Sequence, residues 1–106
     1  MLINLTPHAV RVIPADGSAE TVIPPSGQVA RVAVRLIPAG MAAGIALVRG
    51  VYGAVTGLPT SVEGTMYIVS SLVRSASPGR TDLASPADLV RDSSGAVVGC
   101  RGLEVL

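Results

Sequence analysis

Lysine, phenylalanine and tryptophan are absent from this sequence, and histidine and cysteine occur once each. Each gap removes a class of chemistry. Without Lys there is no Schiff-base nucleophile and no Walker-type phosphate loop. His8 alone cannot serve a site that needs two imidazole ligands. Cys100 alone cannot form an internal disulfide, which fits a reducing, cytoplasmic compartment. Charge is also scarce: 14% of the 106 residues are charged, against about 25% in typical soluble domains.

The basic residues are eight arginines spread along the chain, and the formal net charge is +1. A nucleic-acid interface needs a clustered basic footprint, with aromatic platforms for single strands. With Tyr52 and Tyr67 as the only aromatic rings, neither requirement is met, and no nucleic-acid partner is expected. The opening MLINLTPHAV has no basic leader or cleavage site, so no signal peptide is expected. No apolar stretch approaches the ~20 residues that span a bilayer, and no membrane partner is expected either.

What is present is Val, Ile, Leu and Ala in short runs, punctuated by 12 Gly and 8 Pro. That pattern predicts a mostly all-β fold in a single domain over residues 1–106: a compact sandwich or partly open barrel of about seven or eight short strands with one short helix. The first strands fall at 2–5 and 10–14. Asp16-Gly17 makes a hairpin turn into a return strand at 20–23. Pro24-Pro25-Ser26-Gly27 is a second turn, because a proline pair cannot donate to a sheet.

Beyond that turn lies the clearest two-residue period. Val32, Val34 and Leu36 share one face, and Arg31, Ala33 and Arg35 the other, so this strand is expected to have one buried side and one wet side. Residues 38–44 read as a loop or one loose helical turn. Residues 45–49 and 51–56 read as two strand segments, or as one bent strand around Gly50 and Gly53. A buried strand is expected at 66–70, running into a short helix at 70–76 that Ser77-Pro78-Gly79 stops. Residues 79–88 read as a loop, followed by strands at 89–91 and 96–100 joined by the turn Asp92-Ser93-Ser94-Gly95, the last strand open to extension as far as Val105.

No catalytic constellation stands out. His8 with Ser70 or Ser71 and Asp82 has the residue types of a hydrolytic triad, without a nucleophile-elbow motif. Cys100 follows Val97-Val98-Gly99 in a strand, where a small buried thiol is ordinary packing. The carboxylates show no calcium-loop spacing and no metal site is expected. No glycine cluster forms a dinucleotide or phosphate cradle, so no cofactor is expected. One polar grouping remains. Ser70 and Ser71 sit where a buried strand ends, and Arg80-Thr81-Asp82 follows in a proline-rigid loop. Such a place suits a small anionic or ribose-like ligand, but an internal clamp between Arg80 and Asp82 or another carboxylate, which merely fixes the loop, is the favoured reading.

The chain resembles, over nearly its whole length, a group of short bacteriophage and prophage proteins also found in actinobacterial genomes. The resemblance is carried by Asn4-Leu5-Thr6-Pro7-His8-Ala9-Val10, by Pro24-Pro25-Ser26-Gly27 with Val29-Ala30-Arg31-Val32, and by Gly57-Leu58-Pro59. Further on it rests on Gly64-Thr65 with Tyr67-Ile68-Val69-Ser70, Gly79-Arg80 with Asp82, and Arg91-Asp92 with Gly95 and Val98-Gly99. It implies a small phage-type accessory protein, in the host cytoplasm or the virion. It also adds Thr6 and His8 to Ser70, Arg80 and Asp82 as ligand-binding candidates. If the first strand pairs near 67–70, these five would gather at one end of the sheet.

So few charges on so apolar a chain imply outer faces buried between subunits. The expectation is therefore a non-enzymatic homo-oligomer that acts by binding. One form is counter-defence, by sequestering a nucleotide signal or blocking a host protein. The other is a virion or capsid-associated structural role, with a small Ser/His or Cys/His hydrolase as the remaining alternative.

Overall fold

The computed structural model describes residues 1–106. Eight strands and one short helix make up its regular structure, in the order β1 (Leu2–Asn4), β2 (Val10–Val12), β3 (Thr21–Ile23), β4 (Arg31–Ala42), β5 (Ile45–Thr56), β6 (Met66–Ile68), α1 (Ser71–Ser75), β7 (Leu83–Arg91) and β8 (Val97–Glu104). The mostly-β expectation holds, and of the two architectures the partly open barrel describes it.

Six strands form one sheet in the order β1-β6-β7-β8-β2-β3. Its two edges curl towards each other. Asn4 on β1 bridges Pro25 just past β3, and the Ser26 amide donates to the Asn4 carbonyl at 3.0 Å. β6 is parallel to both β1 and β7, while β7 and β8 run antiparallel.

Side-chain alternation along β6 divides the core in two. Ile68 points to the side of Val10 and Cys100, with Val12, Ile23 and Leu103 packed around them. Tyr67 and Val69 point the other way, onto Leu5, Ala30, Leu83 and Val73 of α1. Ser70 starts that helix as predicted: its extended backbone (φ −66°, ψ 158°) lets Oγ accept from the Val73 amide at 3.2 Å. Arg74 then fixes the helix to β7, donating from Nε to the buried Ser85 hydroxyl at 2.9 Å.

Two sequence expectations are corrected. Residues 38–44 are neither loop nor helix, because β4 runs on to Ala42 and pairs along β5, itself one continuous strand. Pro38 is tolerated because this two-stranded ribbon has free edges, so its missing N–H costs no ladder bond. A two-residue turn closes the hairpin. Ala43 (φ 49°) and Gly44 (φ 78°) both take the left-handed region that the tight hairpin turn demands. Residues 83–88 are also strand rather than loop. Pro86 fits inside β7 because β6 pairs only as far as Ala84, so no neighbour waits on that side for its amide.

The β4–β5 hairpin is an arm. Twelve residues per strand give it a length of about 40 Å, and only its base residues Val32 and Val55 pack on the barrel core. The radius of gyration is 16.4 Å, against about 13 Å for a compact chain of this length. No helix is long and apolar enough to cross a membrane.

Candidate functional site

The five polar candidates do not form one site. β1 pairs in parallel with β6, Asn4 lying opposite Ile68, so the Thr6–His8 turn and Ser70 lie at one end of the sheet and Arg80 with Asp82 at the other. Thr6 and His8 sit in the turn after β1, around Asn4. The Asn4 side chain is 1% exposed and points to the Ile68 side of the sheet. Its Nδ2 donates to the carbonyls of His8 (2.8 Å) and Ile23 (3.0 Å), and its Oδ1 accepts from the Thr6 amide (2.9 Å) and Thr6 hydroxyl (2.6 Å). Thr6 and His8 thus hold the barrel seam, His8 through its backbone alone. Sequence reasoning passed over Asn4, because nothing in its spacing sets it apart from a turn residue.

Ser70 lies where β6 ends, its hydroxyl engaged as the helix cap. Together with Pro7, Val32 and Leu72 it lines a shallow depression of about 220 Å³. Arg80 and Asp82 lie at the other end of β6, where the Asp82 carbonyl accepts from the Tyr67 amide at 2.8 Å. The Arg80 guanidinium grips Asp82 with two donors, Nε and Nη2, each at 2.8 Å. The Ser61 hydroxyl adds a third bond to Asp82 at 3.0 Å. The Arg80 bonds, with Ser61 behind them, hold the Asp82 carboxyl down at about 2 despite partial burial. This is the internal clamp: it engages two of the five guanidinium donors and sets the Arg80 charge against that of Asp82.

Nor does a nucleophile assemble. The Cys100 thiol is 2% exposed, donates to the Arg11 carbonyl at 3.6 Å, and is pushed up by burial, against the thiolate form. No three His, Cys, Asp or Glu side chains come together in a way that would hold a metal.

The feature that stands apart is the arm. From Leu36 to Val48 not one side chain is polar, and every residue from Pro38 to Ala54 is exposed. Register places Val34 opposite Tyr52, Leu36 opposite Gly50 and Pro38 opposite Val48 on one face. The other face carries Arg35 opposite Val51 and Ile37 opposite Arg49, with Leu47 and Ile45 following by alternation. A strand ribbon in water normally shows one polar face. Between Leu36 and Val48 this one shows none, with Leu36 at 63%, Met41 at 70% and Ile45 at 67% exposure.

No protein-family model, curated protein or solved structure matches this chain.

The charges divide between arm and barrel. Arg31, Arg35 and Arg49 are the arm's only charged residues, leaving five Arg against seven carboxylates elsewhere. The three ion pairs, Arg11–Glu20, Arg74–Glu104 and Arg80–Asp82, are all on the barrel side. The arm guanidiniums are in none of them.

A second apolar surface lies on the barrel. Leu89, Val97 and Val98 are 48%, 49% and 38% exposed. With Val10, Pro86 and Cys100 they line a groove of about 160 Å³ across β2, β7 and β8. Arg11, paired with Glu20, also lines it; Asp88, in the left-handed region (φ 55°) of β7, is not among its lining residues.

Proposed function

We propose that this chain is a non-enzymatic accessory protein of the phage type that acts by binding, works as a homo-oligomer, and uses the β4–β5 arm as its binding element. The observation that carries this reading is an arm whose outer part, Leu36 to Val48, is apolar on both faces and almost wholly exposed. A compact monomer of this mass exposes about 5,500 Å². This chain exposes 6860 Å², and the excess of about 1,400 Å² surpasses the ~800 Å² that each partner contributes to a standard interface. Covering that surface is the strongest drive towards association that the chain has.

Between the two kinds of binding, the arm favours the structural one, in which copies build into a larger assembly. Holding a small anion is the weaker reading, since the Arg80 charge is already paired with that of Asp82 at 2.8 Å. Hydrolysis is weaker still, since His8, Ser70 and Cys100 serve separate parts of the fold.

Light scattering on the purified protein tests the proposal across a hundredfold range of concentration. The expected result is an oligomer that a Leu36→Asp, Ile45→Asp double variant reduces to monomer while the far-ultraviolet spectrum is kept. A wild-type protein that stays monomeric throughout overturns the reading.

A further inference from the structure

The two faces of the arm differ in charge and in cover. By alternation along β4, Arg31 and Arg35 share one face, and Arg49 joins it opposite Ile37. All three arm guanidiniums stand on that face, and long stems of this kind shield neighbouring apolar surface. Its Leu47 and Val51 are 42% and 40% exposed. The other face carries Val34, Leu36, Pro38, Met41, Val48 and Tyr52, with the small residues Ala46 and Gly50 between them. It holds no charge, and Val48 and Tyr52 are 57% and 55% exposed. The Tyr52 ring comes within 4.0 Å of where a β-carbon would stand at Gly50, so it lies along the face instead of standing out from it. At its root the same face runs into the barrel core through Val32 and Val55. There Tyr52 borders a depression of about 320 Å³ with Leu72, Ser75 and Ala76.

What could cover the uncharged face? A bilayer would bring the open N–H and C=O groups of both ribbon edges into hydrocarbon, where each is costly. Two such faces laid together leave the edges in water. They also keep the guanidiniums on the outside, separated by more than the ~10 Å spacing of packed sheets, which exceeds the screening length of about 8 Å. Edge-to-edge pairing along β4 is blunted by Pro38 and by the bulge between it and Met41. The uncharged face exposes on the order of 600 Å² per copy, so a pair removes about 1,200 Å², where specific interfaces begin.

We infer that the uncharged face of the arm packs on the same face of a second copy, about a two-fold axis between the Leu36–Gly50 and Pro38–Val48 pairs. The inference rests on the oligomeric reading and names its surface. The two arms run in opposite directions. The tip of each therefore reaches the root of the other, about 20 Å along β5 from Ala46 to Tyr52. Met41, unbranched and exposed, seats in the depression beside Leu72 of the partner subunit. One surface serves both copies, so the contact closes on itself.

Val48 and Leu47 are adjacent, exposed and on opposite faces, which makes them the test. Cys100 is buried and stays silent to a short bis-maleimide. Val48→Cys should link to itself, and Leu47→Cys should not. Met41→Cys mixed with Ser75→Cys should give a covalent dimer containing one of each. In sedimentation equilibrium Val48→Glu should weaken association more than about a hundredfold, because two charges would be buried at the axis. Leu47→Glu, on the wet face, should weaken it less than about threefold. A wild-type monomer overturns this inference and the oligomeric reading together, and if that monomer floats with phosphatidylcholine–phosphatidylglycerol vesicles, lipid is what covers the face. An oligomer in which both Val48→Cys and Leu47→Cys link, as edge pairing would give, or in which Val48→Cys does not link, overturns the face-to-face contact alone. If Val48→Cys links and the mixed dimer does not form, the opposed direction of the arms is wrong.

Discussion

Replacing Asn4 by Leu keeps roughly the volume of the side chain and removes all four of its hydrogen bonds. Two of the partners recover in water, because the His8 carbonyl and the Thr6 hydroxyl lie near the surface. The Ile23 carbonyl and the Thr6 amide are less accessible and lose their partner. Each buried polar group left unsatisfied costs about 1–3 kcal/mol, so the substitution should destabilise the chain by about 3 kcal/mol. That is a large share of the 5–15 kcal/mol typical of a domain. Urea unfolding followed by circular dichroism measures it, at one fixed protein concentration because association shifts the midpoint. Thr6→Val serves as a control and should cost about 1 kcal/mol. If Asn4→Leu lies within 1 kcal/mol of wild type, water reaches the seam and the assignment of Asn4 as its closing residue is wrong.

Acid provides a second measurement. The Asp82 carboxyl sits at about 2 in the folded chain and near 3.9 unfolded. Its contribution is therefore complete above about pH 4 and disappears as pH falls towards 2. After allowance for its partial exposure this amounts to about 1–2 kcal/mol. Asp82→Asn should flatten the acid limb of the stability curve over that window, and an unchanged limb would show the clamp to be energetically idle. At the arm tip, Ala43→Gly relieves a left-handed alanine worth about 1 kcal/mol. Amide exchange at Ala42 and Ile45 should slow several-fold, and no slowing would place the opening of the arm elsewhere than its turn.

Much of the fold was legible in the sequence because local chemistry decided it. Ser70 starting α1 and the Asp16-Gly17 turn are set by neighbouring residues; the alternation over 31–36 marked a strand, but the side expected to be buried is not, since Val34 and Leu36 are 46% and 63% exposed. The arm was not legible as an arm. Alternation marks a strand when one face is wet, and here both faces are apolar from Leu36 to Val48, so the period vanishes into a run of small and apolar residues. Pro86 and Asp88 hid the first part of β7 in the same way, because both residue types usually end strands. The Arg80–Asp82 clamp was visible as a pair two residues apart. Its distance from Ser70 depended on the direction of β6 and β7, which a linear reading does not carry.

The seam at Asn4 also orders events during synthesis. Leu2 pairs with Met66, and Val12 with Cys100, so β1 waits for more than half of the chain, and β2, which can pair at once with β3, waits for nearly all of it before β8 joins its other side. Such distant pairings fold slowly, in milliseconds to seconds. The arm pairs only with its own neighbouring strand and can form on the nascent chain within ~10 microseconds. A growing polypeptide therefore displays its most adhesive element before its barrel can shut, and neighbouring chains on one messenger would meet first through their arms.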